Sequence, residues 1–447
     1  MGAGAILEPL VVVTLLFGGT WINRTVDSSS SPSPDRRKSS EYIRPFSPDS
    51  FESGYSSPSA QDGLLSPRSP SPSQFPVDGW RKRRMGLFHW SIQLSSPNTA
   101  VFRNRLLSRL LRKLPFLVEC WYWALVYWTY QLGRAFTAVT LQDGTVDVAR
   151  RHALRVIRVE ETLGIFWETR IQRFLMSHPA LMTWINWIYS FIHIPGTIAF
   201  LVGLYYYTIT RNRIDENRAG KPRGTVNGSP AGPLLYQARR RTLAVCNLLA
   251  FVVFTMWPCM PPRLLSDTTV GGPEGDLARS YGFVDTVHGV NGAKSVWTEN
   301  RFCNQYAAMP SLHFGYSLMI GLTIMSIPLS PQHRRTVRTR FCRGILLCLP
   351  SWRRLLCLVV GILYPLTILV AIVATANHFI LDAVAGALVC GLGWWWNGVL
   401  LNLLPLEDYF LWLVRIHKPE PSSAPTLDGM GDWDDGEAPS RHSASMP

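Results

Sequence analysis

Acid is the scarce charge in this chain. Its 447 residues hold 30 Asp and Glu against 44 Lys and Arg, which leaves a formal net charge of +14. Charge of either sign is thin at 17%, while 47% of the residues are hydrophobic. The apolar residues fall in long runs, which excludes an ordinary soluble protein and points to a polytopic membrane protein. The eight cysteines include no Cys-x-x-Cys pair and no paired metal spacing, which argues against a zinc site. No repeat of fixed period is present, so solenoids and propellers are excluded. The basic excess lies between the apolar runs and in the N-terminal arm. That placement suits anionic lipid headgroups rather than nucleic acid, and it identifies no protein partner.

Taken in order, residues 1–24 read as an N-terminal transmembrane anchor. Ala5 to Ile22 is apolar, without the basic start and small-residue cleavage signature of a signal peptide. Residues 25–97 read as a disordered cytosolic arm, rich in Ser and Pro and then basic. Ser31, Ser33, Ser47, Ser57, Ser66, Ser69 and Ser71 each precede a proline. They suit proline-directed kinases, or simply a spacer. Residues 98–405 read as the membrane domain. Its six spans run about Leu114–Leu132, Leu181–Ile209, Leu243–Met260, Ser311–Ile327, Leu355–Ala376 and Phe379–Leu404, each near the ~20 residues of a bilayer crossing. Ala149–Arg173 reads as one amphipathic surface helix. Residues 406–447 read as a disordered cytosolic tail, acidic through Asp428, Asp432, Asp434, Asp435 and Glu437.

The positive-inside bias puts two loops in the cytosol: the one with Arg211, Arg213 and Arg239–Arg241, and the one with Arg334, Arg335, Arg338 and Arg340. Three polar motifs then share the opposite face. Pro310-Ser311-Leu312-His313-Phe314-Gly315 opens the fourth span. Pro310 suits a first helical turn. Ser311 and His313 sit where free N–H groups and the helix dipole favour an anion. His378 and Asp382 are four apart, hence on one helix face, and a carboxylate beside an imidazole sets its tautomer and basicity. Arg263 follows Pro261-Pro262 at the end of the third span, and its planar fork suits phosphate oxygens. The plainer readings are a structural intramembrane pair, a capped helix start, an interfacial anchor and, for Ser311, a simple N-cap. His193, beside Tyr189, is a candidate lining residue of the substrate cavity. Asp285 and His288 are candidate substrate contacts, or simply a satisfied loop pair, in a loop that would act as a lid or as part of the pocket wall. Cys259 and Cys303 flank the pocket on the oxidising side, where a disulfide is expected, two buried thiols being the plainer reading.

These motifs resemble the type 2 phosphatidic acid phosphatase superfamily, which also includes vanadium haloperoxidases. Ser311-x-His313-x-Gly315 matches its second motif and His378-x-x-x-Asp382 its third. Asn377-His378 and Met309-Pro310-Ser311-Leu312-His313 are closer to the fungal inositolphosphotransferase branch, which contains inositol phosphorylceramide synthases. Two departures stand out. Met256 occupies the place of the first-motif lysine, with both prolines before Arg263 instead of after it. Ile372 occupies the place of an arginine in the phosphatases' third motif.

The resemblance implies an all-α polytopic membrane protein with a six-helix transmembrane core, in the endoplasmic reticulum or Golgi, with the site facing the lumen. It implies double displacement without metal or cofactor. His378 attacks phosphorus, Asp382 orients it and His313 handles the proton. Arg263, Ser311, Gly315 and helix-end amides hold the phosphate oxygens, with Asn377 in the pocket. The partners implied are a phospholipid donor and a lipid alcohol acceptor. A lipid or prenyl phosphate phosphatase and a non-catalytic lipid-binding relative are the other readings.

Overall fold

A computed structural model describes residues 4–25, 79–87, 90–140, 144–214, 231–268, 271–287, 305–329, 337–341 and 345–419. Its helices are α1 (Gly4–Ile22), α2 (Leu106–Lys113), α3 (Phe116–Thr140), α4 (Thr145–Leu163), α5 (Glu168–Met176), α6 (Pro179–Ile214), α7 (Pro233–Met256), α8 (Pro273–Ser280), α9 (Leu312–Ser326), α10 (Trp352–Ala374), α11 (Ile380–Trp396) and α12 (Leu404–Leu413). Two short hairpins complete it, β1 (Trp80–Leu87) with β2 (Trp90–Pro97) and β3 (Val337–Phe341) with β4 (Ile345–Leu349). Among the described residues, three helical stretches are long and apolar enough to cross a membrane: α6, α10 and Ile380–Leu413. Pro9–Ile22 and α9 are shorter apolar helices.

The bundle is built around α9, which packs against both α10 and α11, while α11 also lies along α7. Gly386 on α11 makes that approach possible. A Cβ on the facing Gly315 would come within 2.9 Å of the Gly386 carbonyl oxygen. With no side chains between them, the helix starts are tied directly by a 2.9 Å bond from the Ser311 N–H to the Asp382 carbonyl. Phe116, Leu201, Tyr205, Tyr236, Met319 and Val389 fill the middle of the bundle. A second cluster, with Ala153, Ile157, Met260, Leu265, Phe283 and Phe379, packs α4 over the loops that follow α7 and α10.

Several sequence expectations need correction. The expected helix Ala149–Arg173 is two helices, broken where Gly164 adopts φ 69° and its N–H bonds back to Glu161. A left-handed residue ends a helix, and glycine takes that conformation without steric cost. The helix expected from Leu243 begins at Pro233, so Arg239, Arg240 and Arg241 are helical rather than in a loop. Two of these guanidiniums are matched inside the bundle. Arg240 meets Glu119 at 2.7 Å, and Arg239 lies over the Trp394 ring at 3.2 Å.

The last part of the supposed disordered arm, residues 79–97, is instead a hairpin, and the first part of the supposed disordered tail is α12. One buried carboxylate, Asp408, joins them. Arg81 and Arg83 reach it at 3.0 and 2.9 Å, and the Ser96 hydroxyl donates to it at 2.7 Å. The Ser-Pro pairs and the acidic residues beyond 419 lie outside the described residues.

Candidate active site

The site forms where α7 and α10 end and α9 and α11 begin. After α10, Thr375 closes the helix and Ala376 turns the chain at φ 51°. The N–H groups of Asn377 and His378 fold back onto the Ile372 carbonyl at 3.1 and 3.2 Å. That turn buries both side chains, each 6% exposed, at the mouth of α11.

His378 Nδ1 lies 2.7 Å from the carbonyl oxygen of Ala308. A carbonyl can only accept, so Nδ1 carries a hydrogen, and in the neutral ring the lone pair is on Nε2. Asp382 stands farther off, at 3.5 Å from Nδ1, and its Oδ2 takes the Phe379 N–H at 2.9 Å. The expected division of labour is therefore corrected. The carbonyl of Ala308 is the nearer partner of Nδ1, and Asp382 holds the turn through the Phe379 N–H.

His313 projects from the first turn of α9. Its ring centroid is 5.6 Å from that of His378, about two hydrogen-bond lengths. On its other side it meets His193 at 5.2 Å and Tyr189 at 5.0 Å. His193 and Tyr189 come from α6, where Tyr189 lies within a widened π-helical turn, Ile188–Ile192, and His193 immediately follows it. Such turns re-aim side chains and recur at functional sites. The Tyr364 hydroxyl holds His193 Nδ1 at 3.2 Å. The three imidazoles thus form a row.

Arg263 sits in a short 3₁₀ turn whose N–H bonds the Ala376 carbonyl at 2.8 Å. Its Nε donates to Asn377 Oδ1 at 3.1 Å, and Nη1 lies 3.4 Å from Asp285 Oδ2. Asn377 is oriented in turn by donating to the Thr375 hydroxyl at 2.9 Å. So the structure brings Arg263, Asn377, Asp285, His313, His378, Asp382 and His193 to one end of the bundle.

Other expected residues differ. Pro310 precedes the helix rather than opening it, and Ser311 is the N-cap, its Oγ accepting from the Phe314 N–H at 3.4 Å. Gly315 serves helix packing, with its Cα face turned to Gly386 rather than to an anion. Cys259 is a free thiol, fully buried with its Sγ toward the Met260 carbonyl. Cys303 and His288 lie outside the described residues.

Sequence reasoning missed four contributors. Ala308 acts through a backbone oxygen, which has no sequence signature. Gln172 is 2% exposed and clamps the 281–287 loop, donating to the Val284 and Ala374 carbonyls and accepting from the Val284 N–H. Glu160 and Glu168, both fully buried, bond the N–H groups of Leu381 and Ile380 at 2.7 and 2.9 Å. Their spacing of eight across Gly164 was the available signal, but it suggested a solvated face. With Asp382 they occupy the open end of α11, so its amides do not serve an anion. The α9 end, beside His313, is the end that remains for one.

Burial, reinforced by Glu168, pushes the Glu160 carboxyl up to about 9. Burial also raises Glu168, while its hydrogen bond with Glu160 pulls the other way.

A family model described as the PAP2 superfamily matches residues 154–215, 231–340 and 341–396, together just over half of the chain. No curated protein and no solved structure matches it.

Proposed function

The chain belongs to the PAP2 superfamily, a membership that goes with a membrane enzyme of the lipid phosphatase or phosphotransferase type, and from that premise we propose a phosphotransferase acting on phospholipid or sphingolipid headgroups. Its donor is a phosphoinositol-bearing phospholipid and its acceptor a lipid alcohol such as ceramide. The single observation that supports the chemistry best is the Ala308 carbonyl on His378 Nδ1, with the His313 ring close by.

In the first half-reaction, His378 Nε2 attacks the phosphorus of the donor diester. The P–N bond forms as the P–O bond to diacylglycerol breaks, and His313 gives that oxygen its proton. Asp382 balances the positive charge gained by His378. Arg263, the Ser311 hydroxyl and the α9 amides stabilise the phosphorus-bound oxygens, since phosphoryl transfer rewards positioning and charge. In the second half, His313 takes the proton of the acceptor hydroxyl, whose oxygen attacks phosphorus and releases His378. No step calls for a metal or cofactor.

The proposal includes six membrane spans plus the α1 anchor, the domain limits given above as amended by the hairpin and α12, and a lumenal site in the endoplasmic reticulum or Golgi. Basic loops would meet anionic headgroups on the cytosolic side. Purified full-length protein given phosphatidylinositol and ceramide should form inositol phosphorylceramide and diacylglycerol in equal amounts. Release of inositol phosphate or free phosphate without any acceptor would assign the site to hydrolysis. No product of either kind would leave a lipid-binding relative.

A further inference from the structure

The start of α11 carries more acid than its helix end requires. Three consecutive N–H groups, of Phe379, Ile380 and Leu381, are each taken by a different carboxylate: Asp382 at 2.9 Å, Glu168 at 2.9 Å and Glu160 at 2.7 Å. Each carboxylate uses one oxygen this way. The others, Glu160 Oε2, Glu168 Oε2 and Asp382 Oδ1, are sealed from solvent and receive a hydrogen from no other group. All three residues are 0% exposed. The groups facing the two glutamates are Asp382 from α11 and the Cys259 thiol from the segment after α7, with His378 lying against Asp382. Neither glutamate has an arginine or lysine partner among the described residues, and no cluster of three or more acids, His or Cys there is arranged to hold a metal ion.

Three sealed carboxylates without a cation are not tenable as three anions, because each buried charge needs a counter-charge or a proton. One shared proton reduces three charges to two: the charge left on the glutamate pair is met by the Ile380 and Leu381 N–H groups, and Asp382 lies against His378. On one glutamate it turns an orphan acceptor into a donor, and the neighbouring orphan oxygen receives it. We propose that Glu160 and Glu168 are positioning residues that share a single proton and thereby fix the first turn of α11, and with it His378, against the back of the reaction centre. This deepens the phosphotransfer reading and rests on it for the role of His378.

The elevated basicity of Glu160 agrees with the geometry and sets the direction of the pH dependence. The folded chain holds a proton that the unfolded chain releases near 4.5, so stability falls as pH rises from about 4.5 to about 9. Loss of that proton would set the two glutamates and Asp382 against one another and loosen the turn that carries His378.

The test uses full-length protein in nanodiscs, with lipid turnover and thermal unfolding each followed from about pH 4 to about pH 10, a range that brackets the window given by linkage. Glu160→Gln keeps the acceptor for the Leu381 N–H and replaces the shared proton by an amide N–H. It should keep at least about a tenth of wild-type turnover at neutral pH, flatten the decline of stability with pH, and move the alkaline loss of turnover upward by at least about one pH unit. Glu160→Ala should lose about 10- to 100-fold at every pH, as expected for a misplaced catalytic group. The proposal is overturned if Glu160→Gln retains the wild-type alkaline limb and stability slope, or if it fails as badly as Glu160→Ala. Stability is read without substrate, so the shared proton is tested even if His378→Ala remains active, which would remove the reading of His378 instead.

Discussion

At the residue scale, the candidate site is held by short-range bonds that specify orientation. Asn377 is the clearest case. Thr375 orients its amide, and its oxygen aims Arg263. Replacing Asn377 by Leu removes a hydrogen bond to a charged group worth about 1.5–3 kcal/mol, so kcat/KM should fall about 10- to 100-fold. Steady-state kinetics with a lipid donor would check this, and an unchanged value would mean that Arg263 does not touch the substrate. The spacing of His378 and Asp382 was legible in the chain because two titratable groups four apart in an apolar region are conspicuous. The identity of the Nδ1 partner was not. The carbonyl of Ala308 reaches His378 across 70 positions of sequence, and every residue carries such a carbonyl. Arg263 was legible by type and by place, but its bonds to Asn377 and Asp285 belong to the folded loops.

At the scale of elements, the site depends on how closely α9 and α11 approach. Their starts are joined backbone to backbone, and Gly386 leaves room for that contact. Gly386→Val places branched carbon against the α9 backbone. It should destabilise the protein by about 1–3 kcal/mol, as overpacking does. It should also lower turnover by separating Ser311 from Asp382. Thermal unfolding in detergent together with activity would check both effects, and a variant with unaltered stability would show that the helices have slack. Helix starts and stops were largely readable from hydropathy and glycine. Gly164 was not recognised as a break, because the charge pattern of α4 continues into α5 and a left-handed φ leaves no mark on periodicity. The arginines of α7 were misplaced because guanidiniums usually mark a loop. Here Glu119 and Trp394 give two of them partners inside the bundle.

For the whole molecule, the cytosolic and lumenal assignments rest on the distribution of basic residues, while the fold supplies the common end on which the motifs meet. Asn227, in Asn227-Gly228-Ser229, lies outside the described residues. With the proposed topology it stays unglycosylated in cells, whereas an acceptor sequence placed in segment 288–304 gains a glycan. Glycosidase-sensitive gel shifts would read both, and a glycan on Asn227 would invert the proposed orientation. The hairpin of residues 80–97 and α12 close the opposite end through Asp408. The chain next to the Ser-Pro arm is therefore anchored to the bundle.

The order of elements, the long apolar runs, the basic loops and the spacing of the histidine motifs follow from the sequence alone. Periodicity, hydropathy and charge bias are local properties, and neighbouring residues suffice to express them. Other features were decided only by tertiary structure: the backbone partner of His378, the row of three imidazoles, the free Cys259 thiol and the two buried glutamates behind the reaction centre. Each arises from contact between segments far apart in the chain. In the low dielectric of the interior, such contacts set which carboxyl keeps its proton and which imidazole nitrogen keeps its lone pair.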